Sequence, residues 1–487
     1  MRTMNKLYYG DNLTIMKQMP PESVDLIYLD PPFNSNRSYN LLYKNTTGLP
    51  IPEQVEAFCD TWELDFEKSE LARDIPRVMQ EYGIAADAVQ FWHHLVQALN
   101  ADTKLLAYLV YMAVRLLEMY RVLKPSGSLY LHCDPTASHY LKIILDSIFG
   151  RSNFINEIVW CYKTGGRSNT SFPRKHDIIF WYAKNADNKT FNDKSIRLQR
   201  NTKTMHEPVL QDENGKRYQR NIKNGKEYRY YLDLGILPND YWVDIQAINP
   251  AAKERLGYPT QKPLALLERI IQASSNENDV VFDPFCGCGT TVEAAIRNHR
   301  QWLGCDIAIH SIKLIQDTRI RKYSLAEGKD YAIEGIPRSA EQARYLFEQD
   351  PFQFQHWAVE KTGGFCSSKK TGDKGVDGRL YFEAGGTLCS MVLSVKGGGV
   401  KPADIRDLRG VLEREADTEL AGFISLREPT KAMLQEADAA GTYEYQGVRY
   451  PRIQLLTVQA LFDGKTWLCP SVVRAKRKDG GQSYLSL

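Results

Sequence analysis

Residues 280–306 constrain the fold more than any other stretch. Val280-Val281-Phe282-Asp283 reads as a short buried strand, and the loop Pro284-Phe285-Cys286-Gly287-Cys288-Gly289 follows it. A helix opens at Thr290, and Gln301-Trp302-Leu303-Gly304-Cys305-Asp306 makes a second strand. A strand, glycine loop, helix and strand in so short a stretch is a βαβ unit, which belongs in a parallel sheet with helices on its faces. Both strands end on a carboxylate, at the edge where open α/β sheets bind ligands.

The same grammar recurs earlier in the chain. Ser23-Val24-Asp25-Leu26-Ile27-Tyr28-Leu29 reads as a buried strand that runs into Asp30-Pro31-Pro32-Phe33, where two prolines forbid further ladder pairing. A helix ending at residues 115–123 is broken by Lys124-Pro125-Ser126-Gly127 and followed by the strand 127–132. The expected architecture is α/β, a doubly wound and mainly parallel sheet over residues 1–325.

The chain has 487 residues, enough for two to four domains of about 100–200 residues. Residues 163–250 are rich in Lys, Arg, Asn, Gln and Tyr without sustained periodicity and read as an insertion. Within it, Lys216, Arg217, Arg220, Lys223, Lys226 and Arg229 interleave with Tyr218, Tyr228, Tyr230 and Tyr231. That mixture suits phosphate neutralisation and base stacking, and equally a solvated hairpin. Residues 326–349 read as a linker helix, and 350–487 as a separate C-terminal α/β domain.

Lys and Arg outnumber Asp and Glu by only 62 to 59, so any nucleic-acid surface is local rather than global. No stretch approaches the roughly 18 apolar residues of a membrane span, and the start lacks a secretory apolar run. A soluble, cytoplasmic protein without membrane contact is expected. The nine cysteines lack zinc-site spacing and read as reduced thiols.

The loop 283–291 has neither the lysine of a phosphate-binding GxxxxGK[ST] loop nor the third glycine of GxGxxG. A ligand with a positive centre and no phosphates suits it better, with Asp306 placed for ribose hydroxyls. S-adenosylmethionine fits both acids. The loop alone leaves open a dinucleotide fold with an unusual loop or a purely structural turn.

Asp30-Pro31-Pro32-Phe33 answers a second chemical need. An exocyclic amine conjugated to a nucleobase is a poor nucleophile, because its lone pair is spread into the ring. The Asp30 carboxylate and the Pro31 carbonyl can accept the two amine hydrogens and tilt the lone pair toward a methyl donor. Pro31 and Pro32 fix that carbonyl, and Phe33 can stack on a base that the duplex gives up by flipping.

Together these motifs resemble the permuted β group of DNA amino-methyltransferases, in which the catalytic motif precedes the cofactor motif. Gly10-Asp11-Asn12, Ser128–His132, Phe172–Asp177 and Gly257-Tyr258-Pro259-Thr260-Gln261-Lys262-Pro263 extend the resemblance over residues 5–320. It implies an S-adenosylmethionine-dependent enzyme modifying adenine N6 or cytosine N4 in double-stranded DNA with one base flipped. It further implies catalysis by Asp30, Pro31, Pro32 and Phe33. Cofactor contacts are implied for Asp11, Thr260, Gln261, Lys262, Asp283, Phe285, Gly287, Gly289, Thr290 and Asp306. The acid at position 30 favours adenine, since members acting on cytosine more often carry serine there. The insertion becomes the target-recognition region, and a homodimer or a partner subunit of a restriction–modification system is compatible with the family.

The C-terminal residues Gly375-Val376-Asp377-Gly378, a hairpin of 379–383 with 390–396, and Gly422–Ser425 resemble the Mrr-like PD-(D/E)XK restriction endonucleases. That resemblance implies a magnesium site at Asp377, with Glu360, Ser394 and Lys396 completing the cluster. Ser394 stands where the family usually has Glu, Asp or Gln, with Glu360 or Glu383 as substitute ligands. The alternatives are a chain that both methylates and cuts, a methyltransferase with a non-cleaving DNA-binding or docking tail, a cytosine-N4 enzyme, and a binding module with a vestigial cofactor fold.

Overall fold

Among the described residues, nine strands form one sheet in the order Tyr241–Trp242, Phe154–Cys161, His176–Ala183, Leu123–Cys133, Val24–Leu29, Val280–Asp283, Gln301–Asp306, Asn5–Tyr9 and Tyr331–Glu334. The structure, a computed structural model, describes residues 5–32, 62–163, 168–199, 209–249, 251–258, 260–366, 375–385, 387–415 and 418–470. It also describes the strands Ser38–Leu41, Tyr43–Lys44, Val55–Cys59 and Lys476–Arg477. Every neighbouring pair in the sheet is parallel except the two made by His176–Ala183. The expected mainly parallel α/β sheet is therefore the observed one.

Helices cover both faces. On one side Asn12–Gln18, Phe66–Glu81, Ala86–Ala98, Thr103–Val122 and Ser138–Phe149 bury Met16, Ile75, Trp92, Leu109 and Leu145 against the sheet. On the other, Leu264–Ser274, Thr290–Arg297 and Ile309–Ile315 bury Leu267, Ile270, Val292 and Ile312. Chain order reverses between Val24–Leu29 and Val280–Asp283, which lie side by side. From the first the sheet grows toward Leu123–Cys133, and from the second toward Gln301–Asp306. This switch point opens a crevice at the carboxyl ends of the strands, and Asp30 and Asp283 stand at its two lips.

Two boundaries differ from the sequence reading. The strand His176–Ala183 falls inside 163–250, yet its Ile-Ile-Phe-Trp-Tyr-Ala run is buried mid-sheet between Leu123–Cys133 and Phe154–Cys161. The protruding part is the three-stranded sheet of Val209–Gln211, Arg217–Lys223 and Lys226–Tyr231. Residues 326–349 are not only a helix: Tyr331–Glu334 is the sheet's edge strand, and the helix Ala340–Gln349 follows it.

The C-terminal unit is also less separate than expected. Its five-stranded sheet runs Phe365–Cys366, Gly378–Ala384, Thr387–Lys396, Thr418–Ser425, Ile453–Thr457, antiparallel at first and parallel thereafter. One buried cluster contains Leu7, Tyr9, Trp302 and Ile315 of the large sheet unit together with Phe354, Trp357, Leu380 and Leu461 of the C-terminal one. No helix of the described residues is long and apolar enough to cross a membrane, and the cysteines described are free thiols.

Candidate active site

The crevice holds a cavity that opens to solvent, at the place where open α/β sheets bind ligands. It is lined by Asp11, Tyr28, Asp30, Pro32, Tyr111, Thr260, Gln261, Lys262, Asp283, Phe285, Gly287, Thr290 and Asp306. Nearly all the residues assigned to catalysis and cofactor contact thus converge on one space. Pro31 is buried behind it, and Phe33 lies outside the described residues.

The glycine loop takes its shape from two left-handed residues. Gly287 has φ +49° and a Cβ there would stand 3.1 Å from the Tyr258 ring; Gly289 has φ +73° and a Cβ would meet Ile315 at 2.6 Å. Gly289 therefore does not line the cavity but lets the helix Thr290–Arg297 pack against Ile309–Ile315. Arg319 fastens the loop from below. Its Nε donates to the Cys288 carbonyl at 3.1 Å and its Nη1 to Glu293 Oε2 at 2.5 Å.

Three acids face the cavity with different commitments. Asp283 Oδ1 accepts from Phe285 N at 3.0 Å and Oδ2 from Thr291 Oγ1 at 2.5 Å. Asp306 Oδ2 accepts from Gly287 N and Oδ1 from Ala308 N, both at 2.9 Å. Asp11 caps its helix through Leu13 N and Thr14 N and pairs with Arg115 at 2.5 Å. Arg115 in turn stacks on Tyr111, 3.5 Å from its ring centroid. Burial pushes Asp283 up to about 7 and Asp306 up to about 6, and Asp30 and Asp306 add to the effect at Asp283. Carboxylates and tyrosines without a facing phosphate cradle match a ligand bearing hydroxyls and a positive centre.

Those shifts carry a signed expectation. Both carboxyls hold their protons above the unfolded value of 3.8, so their contribution to the ligand-free fold is present below about pH 4 and lost as pH rises through 6 and 7. A cation-bearing ligand favours the ionised forms. The rise in melting temperature on adding S-adenosylmethionine is expected to grow from pH 5 to pH 8, and a rise independent of pH would contradict it.

At the other lip, Lys262 Nζ donates to Asp30 Oδ2 at 2.5 Å. Lys262 therefore pairs with the acid expected to act in catalysis, a contact that its expected place at the cofactor does not include. Gln261 lines the cavity, but its amide staples the loop before it, donating to the Glu254 carbonyl and accepting from Leu256 N, both at 2.7 Å. Thr260 has φ +60°, uncommon for a β-branched residue and a sign of a constrained loop. Asp30 Oδ1 is buried and has no hydrogen-bond partner among the described residues.

Beneath Asp30 runs a chain that the motif reading missed. Tyr28 Oη meets His132 Nδ1 at 2.9 Å, His132 Nε2 meets Asp177 Oδ2 at 3.0 Å, and Tyr162 Oη donates to Asp177 Oδ1 at 3.0 Å. Burial pushes the Asp177 carboxyl up, but His132, with Lys262 and Tyr162, holds it below the usual range. The signal was present, since Tyr28 pairs with Tyr130 in register and His132 lies two residues on, on the same face.

Of the residues expected to serve a nuclease, the hairpin brings Asp377 beside the strand that carries Ser394 and Lys396. Glu360 Oε2 accepts from Ile309 N at 3.2 Å, on the large-sheet side. Asp377 Oδ2 accepts from Val395 N at 2.7 Å. Ser394 is buried and has no carboxylate, Lys396 is exposed, and Glu383 lies six residues from Asp377, about 20 Å along the strand. Among the described residues no group of three or more His, Cys, Asp or Glu is placed to hold a metal ion. Ser394 leaves the Asp377–Lys396 strand pair one carboxylate short of the expected magnesium site, and the Glu360 carboxylate is engaged by Ile309 N.

The DNA methylase family model matches residues 24–317, more than half of the chain. The chain belongs to the N6/N4 DNA methylase family. The methylase is 29% identical over 309 residues to the DNA adenine methyltransferase YhdJ of Escherichia coli K12, covering 63% of this chain and 80% of that one. It is 26% identical over 332 residues to the type II methyltransferase M.HpaI of Haemophilus parainfluenzae, covering 68% and 79%. Among solved structures, a DNA modification methylase of Thermus thermophilus, TTHA0409, complexed with S-adenosyl-L-methionine, aligns at a TM-score of 0.37 and 17% identity, over 68% of this chain and 97% of that one. DNA methylases of this family use S-adenosylmethionine, and the acids and tyrosines lining the cavity fit that group.

Proposed function

We propose that this methylase is a site-specific DNA adenine-N6 methyltransferase of the permuted β group. The observation that carries the reading is Asp30 Oδ1, a buried acceptor without a partner among the described residues, on the rim of the cofactor cavity. An unmade hydrogen bond at a buried carboxylate costs about 1–3 kcal/mol or more, a cost relieved when an amine N–H arrives. Lys262 holds Oδ2, so the carboxylate is fixed in orientation and presents Oδ1 to the amine. The cofactor, when bound, supplies an electrophilic methyl group. Asp30 and the Pro31 carbonyl accept the amine hydrogens and localise the lone pair; the new N–CH3 bond would replace the donor's S–CH3 bond, leaving a neutral thioether, and the extra amine proton would pass to solvent. Asp283 and Asp306 orient the cofactor, and the Tyr28–His132–Asp177 chain stiffens the floor.

Support for adenine comes from the acid at position 30 and from YhdJ, whose name describes an adenine enzyme. The protruding ribbon is the target-reading element in this proposal. On one face Gln219, Asn221 and Lys223 stand opposite Tyr230, Tyr228 and Lys226, and a two-stranded ribbon fits a major groove in which Asn and Gln read adenine. The C-terminal unit is taken as non-cleaving.

Transfer of labelled methyl to duplex DNA, followed by digestion to nucleosides, is expected to put the label in N6-methyldeoxyadenosine. Label in N4-methyldeoxycytidine would overturn the base. Asp306→Ala, which strips the acceptor from Gly287 N, Ala308 N and the cofactor, is expected to weaken cofactor binding roughly 10- to 100-fold, at about 1.5–3 kcal/mol for a hydrogen bond to a charged group. Unchanged affinity would remove Asp306 from the ribose contact.

A further inference from the structure

Glu360, expected to serve a nuclease, accepts a hydrogen bond from the backbone next to Asp306, at 3.2 Å from Ile309 N. Its helix, Pro351–Lys361, begins the C-terminal unit and lies against the turn that follows the Gln301–Asp306 strand. Two polar contacts join them: Gln353 Nε2 donates to the Ile307 carbonyl at 3.1 Å, and Glu360 Oε2 accepts from Ile309 N at 3.2 Å. Gln353, Trp357 and Glu360 are spaced four and three residues apart, so they share one helix stripe. Trp357 is fully buried and Gln353 nearly so.

The turn they grip is short and carries Asp306. Asp306 Oδ1 is held by Ala308 N, Oδ2 by Gly287 N, and the Asp306 carbonyl by Gly10 N at 3.0 Å. The next helix, Ile309–Ile315, ends on the side chain that meets Gly289. A shift of residues 307–309 therefore moves the ribose acid and the glycine loop together. A seam needing only adhesion would be served by apolar residues such as Phe354, Trp357 and Val359. Burying an amide and a carboxyl there is worthwhile because they fix two backbone groups in direction, which apolar packing does not.

We propose that Glu360 and Gln353 are positioning residues for methyl transfer, bracing the 306–309 turn so that cofactor affinity depends on the C-terminal unit. The proposal rests on the reading that Asp306 contacts the cofactor. Burial pushes the Glu360 carboxyl up to about 8, so at neutral pH the group is mainly uncharged. Glutamine is then its close mimic, retaining an oxygen to accept from Ile309 N.

The test uses the full chain and titrates S-adenosylmethionine calorimetrically into the unaltered protein, E360A, E360Q, Q353L and D306A, with steady-state kinetics and thermal melting alongside. E360A is expected to raise the cofactor Kd and KM about ten-fold, the equivalent of one lost hydrogen bond, with kcat at saturating cofactor within about two-fold. E360Q is expected to restore the affinity, and Q353L to weaken it by a similar factor through the separate Ile307 contact. A general packing defect would lower kcat and melting temperature without a selective rise in cofactor KM and without rescue by E360Q, and that pattern overturns the proposal. So does unchanged affinity in E360A and Q353L. If D306A is weakened while those two are not, the brace fails and the cofactor reading stands. If the unaltered protein takes up no cofactor, both fall.

Discussion

Asp30→Ala is expected to lower methylation turnover by about three orders of magnitude or more while changing cofactor affinity by less than about ten-fold. The asymmetry follows from where the two carboxylate oxygens go. Oδ1 is the buried acceptor without a partner among the described residues, on the cavity rim, and Oδ2 is taken by Lys262. Removing the side chain deletes the group that accepts the amine hydrogen while charge develops on the nitrogen, a loss of the size seen for positioned acid–base and electrostatic groups, about 10²- to 10⁴-fold each. The Pro31 carbonyl remains but polarises one hydrogen alone. The modest effect on affinity comes from Lys262, whose ammonium loses its anion beside the cofactor cavity. Rapid-quench turnover with saturating cofactor, set beside a binding titration, separates the two. Equal losses in both would mean that Asp30 is a cofactor residue and not the amine acceptor.

Arg319→Ala is expected to be the most damaging single change to stability outside the hydrophobic core. Arg319 and Glu293 are each about 3% exposed in their side chains, and Glu293 also accepts from Lys322 and, at 3.2 Å, from Tyr323. Although burial pushes the Glu293 carboxyl up, Lys322 and Arg319 hold it below its ordinary value. Removing one partner of such a buried pair costs about 3–5 kcal/mol, because the other charge stays behind. The Cys288 carbonyl loses its donor as well. The expected result is a fall in Tm of about 5–15 °C together with weaker cofactor binding, since the glycine loop rests on this residue. A melting temperature within about 2 °C of the parent would show that Lys322 alone carries the charge.

Much of this was readable because the relevant signals are local. Val280–Asp283 and Gln301–Asp306 occupy the residues that their patterns name, each an apolar run ended by an acid, with glycines where the backbone turns left-handed. Other features depend on partners far along the chain. Lys262 meets Asp30 across 232 residues, and motif order cannot say which of two neighbouring sites a lysine will join. Tyr331–Glu334 is four residues long and counts as a strand only because Asn5–Tyr9 lies beside it. His176–Ala183 was absorbed into the insertion because a polar stretch precedes it. Glu360 followed its nuclease pattern in sequence position, but a helix can present that position to either of two surfaces. The stripe of Gln353, Trp357 and Glu360 meets the 307–309 turn through Gln353 and Glu360.

The most direct test of adenine methylation by this chain is single-molecule sequencing, with base-modification detection, of DNA from cells expressing the unaltered protein and from cells expressing Asp30→Ala. The account predicts N6-methyladenine at one recurring sequence motif in the first and at none in the second. N4-methylcytosine at that motif, or N6-methyladenine that persists with Asp30→Ala, would contradict it.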